Sequence, residues 1–155
     1  WLPLWFGNQH HPDEENPVYG TARALLAYRD LNQLDVPPAR RALGWLAAAQ
    51  NDDGGWGNSG GDSSGGGVSV LSSVEETAVA VEALVSAENT PQTQPAVDRG
   101  VSWLVAAVEA GRHRQTNPIG FYFARLWYYE KLYPLVFTVS ALGQAAHRLA
   151  PEPAP

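Results

Sequence analysis

The sequence predicts an all-α fold, a partial α/α toroid built from stacked helical hairpins. Three observations predict it. Apolar residues recur at helical rather than alternating spacing, prolines and a hydroxyl stand where helices would begin, and part of the chain repeats itself.

The first helix follows Pro17, where Ala22, Leu25, Leu26 and Arg29 fall at helical spacing, and it runs from about Val18 to Leu31. A second begins after Pro37-Pro38, since proline suits a first turn, and carries Ala42, Trp45, Leu46 and Ala49 on one face as far as Gln50. Residues 51–69 are dense in Gly, Ser, Asp and Asn and form a loop with too little apolar area to order itself strongly. Ser73-Val74-Glu75-Glu76 has the spacing of a capping box, a hydroxyl with a carboxylate three residues on, and opens a third helix through about Ala87. Glu75 and Glu76 then read as helix N-terminal charges favoured by the macrodipole. A fourth helix covers about Gln94 to Ala110, and a fifth helical region covers Phe123 to Leu149 in two pieces broken near Pro134.

The repeat places Arg41-Ala42-Leu43-Gly44-Trp45-Leu46 against Arg99-Gly100-Val101-Ser102-Trp103-Leu104, an offset of 58 residues. At the same offset Val81, Ala83 and Leu84 match Val139, Ala141 and Leu142. Helical pairs at such a period stack so that each buries the apolar face of the next.

Composition narrows the function. Hydrophobic residues make up 45% and charged residues 17% of 155 residues, which fits one folded domain whose sparse charge suggests that much of its surface is covered. Nine arginines and the single Lys131 are scattered in a chain of net charge −6, which argues against a nucleic-acid partner. The absence of cysteine excludes disulfides, thiolate metal sites and a cysteine nucleophile. No apolar run of about 18 residues is present to span a membrane as a helix.

The stretch from Arg41 to Trp56, Arg-Ala-Leu-Gly-Trp-Leu-Ala-Ala-Ala-Gln-Asn-Asp-Asp-Gly-Gly-Trp, resembles a full QW motif, the signature repeat of squalene–hopene and oxidosqualene cyclases. Its structural residues are Arg41, Gln50, Gly54 and Trp56. Gln50 stands at a helix end, where carbonyls need donors, Gly54 and Gly55 permit a tight reversal, and Trp56 stacks back on the joint. Tyr19-Gly20-Thr21 resembles the Y-G-T that opens a helix in the C-terminal half of these enzymes. Asn117-Pro118-Ile119-Gly120-Phe121-Tyr122, with Leu126-Trp127-Tyr128-Tyr129 and Tyr133-Pro134-Leu135, resembles their final aromatic-rich segment.

These motifs cover nearly all of the chain from Tyr19 to Leu142, and on them residues 1–155 are identified as resembling the C-terminal segment of a triterpene cyclase. The resemblance implies a hydrophobic cavity for squalene or a related polyprenoid, with Phe121, Tyr122, Trp127 and Tyr128 as its aromatic wall. It implies protonation-initiated polycyclisation without a cofactor or metal, the remainder of the cyclase chain as partner, and attachment to the cytoplasmic side of a membrane surface. The family's aspartate-rich D-x-D-D motif, which protonates the substrate, occurs nowhere in these residues, so the segment is expected to hold no catalytic residue. Departures from the pattern are Val108 where the second repeat would carry its glutamine, Gly7-Asn8-Gln9 ahead of the Y-G-T, and Asn117 where the family commonly has Phe.

The other features read as structure. His10-His11-Pro12-Asp13 reads as a solvated turn, because adjacent histidines diverge, and Asp52-Asp53 as turn and cap residues. The glycines at 60–67 lack the Lys-Ser/Thr of a phosphate loop. Two rival classes remain at this point. A prenyltransferase-like toroid would need a zinc site that the absence of cysteine disfavours, and the other is a stand-alone, non-enzymatic helical repeat module binding a lipid or protein partner.

Overall fold

The computed structural model describes residues 1–8, 11, 13–57, 72–87, 90–121 and 126–149, with 118–121, 126–128 and 149 described for their backbone alone. Its helices are α1 (Pro17–Asp30), α2 (Pro37–Ala48), α3 (Val74–Val85), α4 (Gln94–Glu109) and α5 (Tyr133–Leu149). Local chemistry starts each of them. Asn16 Oδ1 accepts from the Tyr19 N–H at 3.0 Å ahead of Pro17, while α2 opens on Pro37 and α4 carries a proline in its first turn. The α4 helix closes on Gly111, whose φ of 73° is the left-handed conformation that suits glycine after a helix.

Two layers result. α3 packs against α1 on one side and α5 on the other, forming an inner row, while α2 and α4 lie against it from outside. Every residue of α3 is buried, its three glutamates included, so the helix is enclosed on all sides. Each of its buried valines and leucines contributes about 1.5–3 kcal/mol over exposure. The inner row is also stitched by polar groups, since Glu82 of α3 accepts from Gln144 of α5 at 3.1 Å and lies 3.6 Å from the Arg29 guanidinium of α1. This is the stacked-hairpin, all-α architecture expected from the repeat.

Two expectations need correction. The region from Phe123 is not a pair of helical pieces, because Leu126–Tyr129 is a strand, β3, and α5 begins only at Tyr133 with Pro134 in its first turn. Pro134 therefore starts a helix and does not break one. Strand β3 pairs antiparallel with β2 (Pro118–Phe121), which pairs antiparallel with β1 (Phe6–Asn8). Strands of three and four residues are too short to show alternation in a sequence.

The second correction concerns the loop. Residues 51–57 are tightly held: Asn51 and Gly55 bond at 2.9 Å, and the Ser73 N–H donates to the Trp56 carbonyl at 2.9 Å. The ordering comes from backbone pairing and one large aromatic side chain, which a count of apolar residues does not register. Residues 58–69 lie outside the described residues.

Candidate functional site

The joint between α2 and α3 is built from the residues the motif singled out. Gln50, just past the end of α2, donates through Nε2 to the Gly54 carbonyl and the Ala96 carbonyl, both at 2.8 Å. One amide thus ties its own turn to the first turn of α4. Gly54 has φ 89°, a backbone state that L side chains adopt only under strain, and it turns the chain so that Trp56 folds back. The Trp56 ring is fully buried, and its Nε1 donates to the Leu46 carbonyl at 2.8 Å near the end of α2. Its backbone is clamped by Thr77, whose Oγ1 accepts from Trp56 N at 2.9 Å and donates to Trp56 O at 3.1 Å. Arg41, the motif's first residue, is exposed on α2 beside Trp45 and Trp1 and does not enter this cluster.

Gly100 of α4 completes the joint. A Cβ there would come within 2.6 Å of both the Trp56 ring and Val81 of α3, so only glycine lets α4 approach so closely. Asp53 extends the network outward, accepting from Gly55 N at 3.0 Å, Ser72 Oγ at 2.6 Å and Trp103 Nε1 at 3.0 Å. The Arg112 guanidinium lies 4.6 Å over the Trp103 ring. Partial burial pushes the Asp53 carboxyl up, but these hydrogen bonds and the Arg112 charge outweigh it and hold the group below its ordinary value. Asp53 is a turn residue as expected, but it caps no helix, since the α3 cap is Ser73.

The aromatic segment is placed on the small sheet. Phe121 pairs with Phe6 and Leu126, Trp127 with Gly120, and Tyr128 with Ile119, along the backbone. Their side chains, and Tyr122 altogether, lie outside the described residues. The segment is fastened to the N-terminus of α3 by two acids. Glu75 accepts from Asn117 N at 2.9 Å and Asn117 Nδ2 at 3.1 Å, immediately before β2. Glu76 accepts from Asn8 Nδ2 of β1 at 3.3 and 3.4 Å and from Ser73 Oγ at 2.8 Å. Asn117, a departure from the family pattern in sequence, is in space the residue that docks the aromatic segment.

Ser73 caps α3 as the spacing implied, its Oγ accepting from Glu76 N at 3.0 Å. The return bond differs, because the carboxylate takes the Ser73 hydroxyl while the Ser73 N–H is used by Trp56. Glu75 and Glu76 stand in the first turn of α3 as expected, but they are buried. Burial outweighs their hydrogen bonds and raises both carboxyls above the ordinary value. A sequence signal for this existed, since α3 carries Ala and Val on every face and such a helix is enclosed. Thr77 and Gly100 were likewise missed, although Gly100 and its repeat partner Ala42 are both small, as close helix approach demands.

His11 Nδ1 accepts from the Asp13 N–H at 3.2 Å, a turn contact, and His10 lies outside the described residues. Among the described residues no group of three His, Cys, Asp or Glu side chains is placed to hold a metal ion. No described helix is long and apolar enough to cross a membrane.

No curated protein and no solved structure matches the chain. The family model for the squalene-hopene cyclase C-terminal domain matches residues 4–147, which takes in α1 to α4, all but the last two residues of α5, the Gln50–Trp56 joint and all three strands. On that match the chain belongs to the squalene–hopene cyclase family, as its C-terminal domain.

Proposed function

We propose that this domain walls the hydrophobic cavity in which a polyprenoid of the squalene class is polycyclised, with the proton donor supplied from outside residues 1–155. The single observation that carries the reading is the family match over residues 4–147. The geometry of the α2–α3 joint supports a structural role for the motif. Gln50 Nε2 and Trp56 Nε1 both donate to backbone carbonyls, which suits a rigid wall.

In this reading the reaction begins when an acid elsewhere in the cyclase protonates a terminal alkene. The resulting carbocation is passed along the chain by ring closures and is quenched by loss of a proton or by addition of water. This domain excludes water and presents the π faces of Phe121, Tyr122, Trp127 and Tyr128 to the late cations, each worth about 0.5–2 kcal/mol in a dry site. No metal or redox partner takes part. A membrane surface on the cytoplasmic side delivers the lipid substrate.

The test has two arms. Residues 1–155 alone, incubated with squalene and analysed by mass spectrometry, should yield no cyclised triterpene, and any such product would overturn the assignment of the acid elsewhere. In the full-length cyclase, Phe121→Ala should fold normally and accumulate partly cyclised products, with Phe121→Trp closer to the parent. An unchanged product ratio for Phe121→Ala would make Phe121 a packing residue.

A further inference from the structure

Strand β2 ends on Phe121, and contacts from the helices fix where that strand stands. Glu75 of α3 holds Asn117, the residue before β2, accepting from its N–H at 2.9 Å and from Nδ2 at 3.1 Å. Glu76, next along the same helical turn, accepts from Asn8 Nδ2 at 3.3 and 3.4 Å, and Asn8 pairs in register with Ile119 of β2. At the other end of β1 the Phe6 ring lies 5.6 Å from the Tyr19 ring of α1, and Phe6 pairs with Phe121. These last two contacts fasten β1, which lies along one edge of β2 and leaves the sheet able to tilt about that edge. The hold on Asn117 removes the tilt, acting about 13 Å along the strand from Phe121 at a rise of about 3.3 Å per residue.

Stability does not account for the two acids. Both are buried, at 5% and 4% exposure, and among the described residues no ion pair reaches either. A carboxyl taken out of water without a cation costs more than an apolar side chain of similar size, and its hydrogen bonds only offset that cost. What the Glu75 carboxyl supplies is direction, because two oxygens at a fixed separation receive the two Asn117 donors in one orientation.

We infer that Glu75 is a positioning residue for the polycyclisation, setting through Asn117 where Phe121 stands against the late cations and so where ring closure stops. The inference rests on the proposed cavity role of the aromatic segment and adds a residue that determines product specificity by acting through the strand. Placement has to be close. The attraction of a cation to a ring is confined to about 6 Å from its centroid, and a displacement of about 1 Å can cost about a hundredfold in rate.

The test is product analysis in the full-length cyclase, below the melting temperature of every variant. Glu75→Ala leaves β1 fastened, so it should fold, and it is expected to raise the share of partly cyclised product about fivefold or more. Glu75→Gln should restore the parent ratio, because turning over the Asn117 amide lets the new side chain accept from the Asn117 N–H and donate to Oδ1. Asn117→Asp sets two carboxyls against each other and should disturb the ratio as Glu75→Ala does. Adding Glu75→Gln to it should restore the ratio, since an amide then faces a carboxylate again. A purely structural role would lower melting temperature and total turnover and leave the ratio where it was.

The inference is overturned if Glu75→Ala and Asn117→Asp both keep the parent ratio, or if the exchange of partners fails to restore it. Should Glu75→Ala not fold, Asn117→Asp with and without Glu75→Gln decides by the same criteria. Phe121→Ala in the same assay separates this inference from the reading on which it rests. A changed ratio for Phe121→Ala beside an unchanged one for Glu75→Ala overturns the positioning role alone. An unchanged ratio for Phe121→Ala overturns the assignment of Phe121 to the cavity and the positioning role with it.

Discussion

The two inter-hairpin joints occupy equivalent places in the repeat and are built in opposite ways. Between α2 and α3, Gln50 and Trp56 lock the turn through side chains that reach the Gly54, Ala96 and Leu46 carbonyls. Between α4 and α5 the same positions hold Val108 and Arg114, both exposed. There the chain leaves α4 through Gly111, makes one 3₁₀ turn over Arg112–Arg114, and enters β2. What fastens the second joint is backbone pairing in the sheet and Asn117 on Glu75. A hairpin repeat can therefore be closed by a side-chain lock or by a small sheet. The second solution frees the segment between its helices to carry aromatic residues.

The difference is sharpest in substitutions at matched positions. Trp56→Ala removes a fully buried indole and the donor to Leu46, and should cost about 3–5 kcal/mol in urea denaturation of residues 1–155. Arg114→Ala, its repeat counterpart, should stay within about 0.5 kcal/mol of the parent. Equal losses at the two sites would mean that the joints are not built differently. Next in size is Gly100→Ala, where the added methyl meets Trp56 and Val81, with an expected loss of about 1–3 kcal/mol. A Gly100→Ala chain as stable as the parent would show that α4 can shift at no cost.

A smaller effect tests the lock itself. Gln50→Val converts the first joint to the chemistry of the second and removes two hydrogen bonds, for an expected loss of about 1–2 kcal/mol. The reverse change, Val108→Gln, should gain nothing measurable, because its position lacks the returning turn that supplies acceptors. Stabilisation by Val108→Gln would show that the second joint is a weakened copy of the first and not a different solution.

The first joint was largely legible in the sequence and the second was not, for physical reasons. Helix starts are set by contacts a few residues apart, such as Asn16 with Tyr19 or Ser73 with Glu76, and so appear as local spacing. The Gln50–Trp56 turn is equally local apart from the reach to Ala96. The sheet instead pairs Phe6–Asn8 with Ile119–Phe121 across most of the chain, through backbone groups that every residue possesses. Burial of Glu75 and Glu76 depends on Asn8 and Asn117 arriving from opposite ends of the molecule. Contacts of that kind leave only an indirect trace, here the alanines and valines found on every face of α3.

The smallest expected effect separates the joints by the sign of their pH dependence. Asp53, at the first joint, is held below its ordinary 3.8. Its folded value lies under its unfolded one, so its contribution is present above about pH 3.8 and is lost as pH falls through the depressed value. Glu75, which receives the second joint through Asn117, is raised above its ordinary 4.5. Folding then favours its protonated form, so its contribution is full below about pH 4.5 and is lost as pH rises through the raised value. Acid should accordingly loosen the first joint while relieving the second. Unfolding free energies of the parent, Asp53→Asn and Glu75→Gln, measured by urea between about pH 3 and pH 7, resolve the two contributions. The parent should lose stability relative to Asp53→Asn at the acid end of this range, and relative to Glu75→Gln at the neutral end. Curves that run parallel for all three chains would mean that neither carboxyl is coupled to folding, and the contrast between the joints would then rest on packing alone.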